Sequence, residues 1–312
     1  MTGQRSTVTR EATSRVCLSE QAWGYLLAGP AFLLVGLLAV LPIAAALWLS
    51  LHRRLPIFGV EEFVGAWNYV QLWSDDRFWA ACRTTLYFTA LSVTAELLLG
   101  LWIALLLDGL TSIRGGSPRW AQVMIILPWA VPTVVSAQIW AWLYQPDYGL
   151  LNYLLRQAGL ATAPIDWLAD PDWAIHAAVM MDVWKTTPFA ALLLLAGLKT
   201  VPGDLYAAAR VDGAGAWKRF RLITLPLLMP IVVIVLVFRT MDAVRVFDAV
   251  YVLTGGGPGN TTETLSIYAY KTLFQTLQFG YGSALATAMF LIVAALSSLY
   301  LLLLRRHLRD VA

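Results

Sequence analysis

The most informative part of the chain, residues 202–230, reads PGDLYAAARVDGAGAWKRFRLITLPLLMP. Its first third predicts a short helix over 205–211, because Asp204 can cap it and its alanines favour helix. Those alanines leave an almost bare surface that suits a groove on another protein. Asp212 and Gly213 then predict a turn, since glycine tolerates the positive φ that such a turn needs. The basic and aromatic residues that follow are typical of the lipid headgroup region.

The composition of the whole chain is that of an integral membrane protein. Of its 312 residues, 59% are hydrophobic and 13% are charged, and the mean hydropathy is +0.67. Soluble domains are about 45–50% apolar and about 25% charged. The two cysteines, Cys17 and Cys82, are predicted on opposite sides of the membrane, so no disulfide within the chain is expected. No cysteine or histidine spacing predicts a metal site.

Six stretches are long and apolar enough to be membrane-spanning helices, which need about 20 mostly apolar residues. They are residues 25–51, 84–107, 121–144, 174–198, 227–253 and 283–304. The predicted fold class is therefore an all-α integral membrane protein with six transmembrane helices. Residues 1–22 are predicted to be an N-terminal tail, 23–305 the membrane domain with its loop at 202–226, and 306–312 a C-terminal tail. The segment 146–173 is expected to be a structured loop with one short helix at 150–158.

The distribution of lysine and arginine predicts the orientation. These residues are more frequent in the two tails and in the loops on the same side of the membrane as 202–226 than in the opposite loops. Basic residues favour the cytoplasmic side. Both termini and the 202–226 loop are therefore predicted to be cytoplasmic.

The 202–226 loop, in this position between two spans, resembles the coupling loop of the membrane subunits of bacterial ATP-driven importers, whose pattern is E-A-A-x-x-D-G-A followed by I-T-L-P. The matching residues are Ala208, Ala209, Asp212, Gly213, Ala214, Phe220, Ile223, Leu225 and Pro226. The family's Glu is replaced by Ala207, so any salt bridge that the family makes there is either absent or supplied by another residue, with Tyr206 and Arg210 as the candidates. In the family this loop docks into a cleft of an ATPase subunit. The resemblance implies that the ATPase-coupling residues here are Tyr206, Ala207, Ala208, Ala209, Arg210, Asp212, Gly213 and Ala214.

Two further segments resemble the carbohydrate branch of these permeases. They are VWKTTPFAALLLLAGL at 183–198 and YVLTGGGPGNTTETLSIYAY at 251–270. The resemblance implies the type I ABC importer fold and import of a trehalose- or maltose-like sugar. The implied partners are a second homologous permease subunit, two ATP-binding subunits, an extracytoplasmic sugar-binding protein or lipoprotein, and the lipid of the bacterial inner membrane, with no nucleic acid.

The sequence reveals no ATP-binding motif. It contains no G-x-x-x-x-G-K-[ST] segment, and the glycine-rich run at 255–260 lacks the lysine and is expected to be a turn. We therefore expect a transport subunit that is not an enzyme and binds no cofactor, with ATP and Mg²⁺ held by the partner subunits.

Charged residues in the fifth predicted span are candidates for the substrate path. Arg239, Asp242, Arg245 and Asp248 recur every third residue with alternating sign, so neighbours can pair along one side of the helix. Such a face belongs in a polar cavity, because ionisable groups are costly in lipid. Arginine and aspartate can bind sugar hydroxyls, and Phe247 and Tyr251 can stack on a sugar ring. The alternative is a structural ion ladder between helices.

Glu96 and Lys185, in the second and fourth spans, lie at equal predicted depth, about 17 Å from the outer ends at 1.5 Å per residue. They are predicted to form a buried charge pair with a structural role or a substrate or gating role. Pro128, Pro132 and Pro188 are expected to kink their helices or free carbonyls.

A second functional hypothesis is a stand-alone secondary transporter or channel that uses the intramembrane charges. The coupling loop argues against it, as does the lack of the inverted repeat that many such transporters show. A membrane-embedded enzyme has no support, since no catalytic constellation is visible.

Overall fold

The structure is a computed structural model that describes residues 20–114 and 119–311. Of the predicted tail 1–22, residues 1–19 lie outside this part, and Cys17 lies there too. The chain consists of two units, Met1–Trp48 and Leu49–Ala312. The first unit is helical from Glu20: α1 (Glu20–Val35) continues through a π-helical turn, Gly36–Val40, into α2 (Leu41–Ser50). The apolar part, Gly24–Ser50, is 27 residues long, which agrees with the first predicted span.

The second unit begins with an antiparallel hairpin of β1 (His52–Leu55) and β2 (Val60–Phe63), which the all-helical prediction missed. Its helices are α3 (Trp67–Trp73), α4 (Asp76–Arg114), α5 (Arg119–Ala130), α6 (Thr133–Leu143), α7 (Leu150–Gln157), α8 (Pro171–Leu198), α9 (Gly203–Val211), α10 (Ala216–Arg219), α11 (Leu225–Val244), α12 (Asp248–Thr254), α13 (Leu265–Tyr270) and α14 (Phe279–Val311). A π-helical turn, Phe220–Thr224, joins α10 to α11.

Within the described residues, five helices are long and apolar enough to cross a membrane, and the bent pair α5–α6 makes a sixth if it is one span. This agrees with the predicted all-α fold. The third predicted span is bent, as expected from its prolines, and its axis turns by 89° between Ala130 and Thr133. The break coincides with Pro132, which cannot donate a backbone hydrogen bond, as the sequence suggested. Pro188, by contrast, lies inside α8 without interrupting it.

The fifth predicted span, by contrast, is wrong as a single helix. Helix α11 ends at Val244, and α12 starts only at Asp248. The three residues between them turn the chain before the second helix begins. The membrane core of the second unit thus contains two interrupted helices, the α5–α6 pair and the α11–α12 pair.

Helix α8 is the centre of the second unit, and most of its side chains are buried. It packs closely on α4 at Gly100, where an added Cβ would lie 3.0 Å from Ala190 Cβ and 3.1 Å from the backbone nitrogen of Ala191. A side chain at this position would force the two helices slightly apart, so glycine favours this close approach. The short helix α7 confirms the predicted helix at 150–158, and Asn152 fixes it by hydrogen bonds to the backbone of Ile165.

Candidate functional site

A polar cavity of about 420 Å³ lies where both interrupted helices meet α8. It is lined by Trp129, Thr133, Asp182, Lys185, Thr186, Arg239, Asp242, Arg245, Val246, Phe247, Asp248 and Ala249. The structure therefore brings five of the six predicted substrate-path residues together at one cavity. The sixth, Tyr251, is not among the lining residues.

Arg239 is the centre of a buried ionic network. Its side chain is 5% exposed, and its Nε and Nη2 donate to the two carboxylate oxygens of Glu96 at 2.5 and 2.9 Å. Nη2 also lies 3.3 Å from Asp182 Oδ2, and Nη1 lies 3.4 Å from Asp242 Oδ2. Glu96 is fully buried and accepts a further hydrogen bond from Thr186. Paired, bidentate bonding of this kind is what makes a buried charge tolerable.

The predicted pair between Glu96 and Lys185 is wrong. Glu96 bonds Arg239 instead, whose planar fork matches a carboxylate better than an ammonium does. Lys185 Nζ donates to the backbone oxygens of Val131 at 2.6 Å and Trp129 at 3.3 Å. Trp129 lies in the last turn of α5 and Val131 follows this helix at the break, where carbonyls at a helix end lack intrahelical partners. Equal depth in the membrane did not reveal which sides of the two helices face each other.

The predicted row of alternating charges holds for three of its four members. Asp242 lies 3.4 Å from Arg239 and 3.3 Å from Arg245, each three residues away. For Asp248 the prediction of one continuous helical face is wrong, because α11 ends before it and Asp248 begins α12. Asp182 was missed, although a carboxylate three residues before Lys185 in an apolar span was a visible signal.

Aromatic rings gather beside the cavity. Phe247 and Tyr251 stack on each other, with ring centroids 5.0 Å apart and an angle of 16° between the planes. Tyr270 packs against both, at 5.1 and 5.3 Å. One face of each stacked ring is thus already occupied, and the role of Phe247 and Tyr251 in stacking on a sugar stays a prediction.

The 202–226 loop forms α9, and its C-terminal end has the predicted turn. Ala214 N–H donates to Ala209 O at 2.8 Å and Gly213 N–H donates to Arg210 O at 3.1 Å, which is a Schellman motif. Gly213 has a φ of +74°, as the sequence suggested. The predicted cap by Asp204 is wrong, because Pro202 occupies the N-cap position and no side chain caps the helix.

The surface of α9 is open, and no residue of this helix is buried. Ala207 and Ala208 are exposed, and Ala209 is half-buried. Tyr206 instead turns inward, and its hydroxyl lies 2.9 Å from Thr224 Oγ1. This contact ties α9 to the turn that precedes α11, the helix that carries Arg239.

A second polar cluster, which sequence reasoning missed, joins α4 to the segment before α13. Glu263 accepts from Arg77 at 2.7 and 2.8 Å and from Lys271 at 2.8 Å. Asp75 accepts from the hydroxyls of Tyr268 at 2.6 Å and Tyr281 at 2.5 Å. The only signal was the acidic residue inside the otherwise uncharged segment 251–270.

The environment of this cluster sets the pKa values of both carboxyl groups. Burial alone would raise the pKa of Glu263, but the hydrogen bonds and charges of Arg77 and Lys271 outweigh burial and hold that pKa below its ordinary value. Burial opposes the shift at Asp75 too, and the hydrogen bonds from Tyr268 and Tyr281 lower its pKa. Both groups therefore stabilise the fold in their ionised form.

Comparison with known proteins agrees with this architecture. Residues 96–310 match the family described as "Binding-protein-dependent transport system inner membrane component". The chain is 42% identical over 289 residues to the trehalose/maltose transport system permease protein MalF of Thermococcus litoralis, covering 93% of this chain and 96% of that one. It is 39% identical over 294 residues to the sulfoquinovosyl glycerol transport system permease protein SmoG of Agrobacterium fabrum, covering 92% of each.

Among solved structures, a chain of a bacterial ABC transporter involved in the import of the acidic polysaccharide alginate superposes with a TM-score of 0.78 at 22% identity. The match covers 91% of this chain and 95% of that one, and it confirms the predicted type I ABC importer fold. The family match and the two relatives confirm the resemblance drawn from the sequence. The chain belongs to the binding-protein-dependent transport system inner membrane components, the membrane-spanning permease subunits of ABC transporters.

Proposed function

We propose that this chain is one of two permease subunits of an ATP-driven importer for a di- or oligosaccharide or a related glycoside. A binding protein outside the inner membrane delivers the sugar, and two ATPase subunits, which hold ATP and Mg²⁺, drive its passage. The second permease subunit supplies the other half of the pathway. Both termini and the 202–226 loop lie in the cytoplasm, where α9 docks on an ATPase subunit.

The observation that carries this proposal is the cavity between the two interrupted helices. Substrate sites of transporters are commonly formed by discontinuous helices near the middle of the membrane. Here the α5–α6 break and the α11–α12 break open onto the same polar cavity. Ionisable residues inside membrane spans are costly, and they commonly mark the path of a substrate or ion.

The geometry of the network supports different roles for the charged residues. Arg239 is buried and its guanidinium is taken up by carboxylates, so it holds the helices together. Asp242 and Arg245 are 57% and 54% exposed, and they leave donors and acceptors free toward the cavity. These two side chains are the sugar ligands we propose, because Asp and Arg can bind neighbouring hydroxyls with two hydrogen bonds each.

The substrate class follows from the same chemistry together with the relatives. The relatives are named for trehalose/maltose and for sulfoquinovosyl glycerol, all of which carry a glycosidic linkage. A site with both a cation and an anion suits neutral hydroxyls, and the cation also suits a sulfonate. We propose trehalose or maltose as the substrate, with sulfoquinovosyl glycerol as the competing substrate to be tested.

The experiment is ATP-dependent uptake by proteoliposomes that contain the complex of this chain and its partner subunits with the binding protein. Labelled trehalose, maltose and sulfoquinovosyl glycerol are compared. We expect Arg245→Ala and Asp242→Ala each to abolish most uptake of whichever of these sugars the wild type transports. Arg83→Gln should retain that uptake, because Arg83 is exposed and lies outside the cavity. Uptake by this chain alone, without nucleotide or partners, would support the stand-alone transporter and overturn the proposal.

A further inference from the structure

A second and larger cavity, of about 740 Å³, lies beneath α9. Its walls come from the last turns of α4 and α8, from α9 and α10, and from the π-helical turn before α11. Leu105 and Leu198 provide apolar wall, and Trp217 and Phe220 stack on each other with centroids 5.6 Å apart. Ligand pockets commonly have volumes of about 300–1,000 Å³.

The charges of this cavity are unbalanced. Arg210 and Arg219 both line it, and within the described part of the chain neither forms an ion pair. The cavity's one lining carboxylate, Asp108, is already paired with Lys199 at 2.7 Å. Two guanidinium groups thus face a shared space without a counter-charge, and such groups bind phosphate with bidentate hydrogen bonds.

The surroundings select the kind of anion. The cavity lies where two apolar spans, Asp76–Leu110 and Pro171–Leu198, reach their ends, so it opens at the level of a membrane surface. Trp217 is 72% exposed and Leu222, nearby on the same segment, is 62% exposed. Exposed tryptophan with basic neighbours is typical of the lipid headgroup region. A free phosphate would contact only the arginines, whereas a phospholipid would contact the arginines with its headgroup and the apolar walls with its acyl chains.

We propose that this cavity binds an anionic phospholipid, with the phosphate of its headgroup held by Arg210 and Arg219 and its glycerol and upper acyl chains against Leu105, Leu198 and Phe220. The lipid supplies the counter-charge that the described residues lack. The site is separate from the cavity beside Arg239 and does not depend on which sugar is transported. Tyr206 and Arg210 line it from one side of α9. The ATPase contact that we propose for α9 is therefore assigned to its other side, which carries the exposed Ala207 and Ala208.

Native mass spectrometry of the purified complex tests the proposal. The complex is delipidated, incubated with phosphatidylglycerol, phosphatidylcholine or inorganic phosphate, and the bound molecules are counted. We expect retained phosphatidylglycerol, little phosphatidylcholine, and no displacement by inorganic phosphate. Loss of charge-assisted hydrogen bonds should weaken the affinity for phosphatidylglycerol about tenfold or more in each of Arg210→Gln and Arg219→Gln.

Arg221→Gln is the matched control, because Arg221 is exposed on the same segment but does not line the cavity. Arg210→Lys with Arg219→Lys keeps the charge and should recover part of the binding. The variants' melting temperatures and subunit composition are measured alongside, so that misfolding is recognised. Equal binding of both lipids, unchanged retention in the double Gln variant, an equal loss in Arg221→Gln, or displacement by inorganic phosphate each overturns the proposal.

Discussion

Arg239 and Glu96 form a two-point ion pair between α11 and α4, although 143 positions separate them in the chain. Their side chains are 5% and 0% exposed. Asp182 on α8 joins the same guanidinium, so one arginine links three spans. Removing one partner of such a buried pair leaves an uncompensated charge in the core.

Arg239→Gln should destabilise the protein by about 3–5 kcal/mol, because Glu96 and Asp182 would then face each other without their cation. Glu96→Gln should cost a similar amount, and the double variant should cost less than the sum of the two. The measurement is thermal unfolding in detergent, followed by thiol labelling in a Cys17→Ser background, where the buried Cys82 is the remaining thiol.

The charge swap Glu96→Lys with Lys185→Glu separates this network from the pairing predicted on depth alone. Since the two side chains bond different partners, the swap should be no more stable than either single change. Recovery in the double swap would contradict the observed network.

Lys185 holds the broken third span together, because it donates to the carbonyls of Trp129 and Val131 at the end of α5. Lys185→Met should lower stability by about 2–3 kcal/mol, as expected for hydrogen bonds from a charged group. Hydrogen exchange should rise at the start of α6, where the chain leaves the break. The readout is exchange measured by mass spectrometry on peptides covering residues 126–140.

Lys199→Met is the control for Lys185→Met, because Lys199 also forms an ion pair, with Asp108, but is 47% exposed. Exposed ion pairs contribute about 0–1 kcal/mol, so this variant should change neither stability nor exchange near the break by much. Equal effects of the two lysine variants would argue against a specific role of Lys185.

Local sequence patterns predicted individual helices and turns correctly, whereas the contacts between distant helices were predicted poorly. The alanines and Asp212-Gly213 gave α9 and its left-handed turn, because helix propensity and positive φ depend on a few neighbouring residues. The lengths of the apolar stretches predicted the positions of the membrane spans. The partner of Glu96 could not be read from one sequence, since it depends on how α4, α8 and α11 rotate about their axes when they pack. The break after Val244 was equally invisible, because no proline or glycine marks it.

Glu263 should make the stability of the folded protein depend on pH. Its folded-state pKa is lowered by Arg77 and Lys271, so the stabilisation is fully present above the ordinary glutamate value of 4.5 and is lost as the pH falls through the lowered pKa. The melting temperature of the wild type should therefore drop on acidification below about pH 4.5. Glu263→Gln should be less stable at pH 7 and should show a smaller further drop.

Glu61→Gln controls for acid effects on the rest of the protein, because Glu61 is 64% exposed and lies 3.8 Å from Arg54. Its pH profile should follow the wild type. If Glu263→Gln has the same slope as the wild type between pH 5 and pH 3, Glu263 does not contribute to acid sensitivity.

Gly213 and Gly215 offer a paired test of the proposed coupling helix. Neither has an atom within 4 Å of an added Cβ, but Gly213 has a φ of +74° whereas Gly215 has a φ of −65°. Gly213→Ala should therefore cost about 1–2 kcal/mol in backbone strain and loosen the end of α9. Gly215→Ala should be almost neutral.

In proteoliposomes of the complex, we expect Gly213→Ala to reduce sugar uptake per ATP hydrolysed while the subunits still assemble. Gly213→Asn should lose less, since asparagine tolerates this conformation better. Full coupling in Gly213→Ala, or an equal loss in Gly215→Ala, would show that the geometry of this turn does not transmit the work of the ATPase.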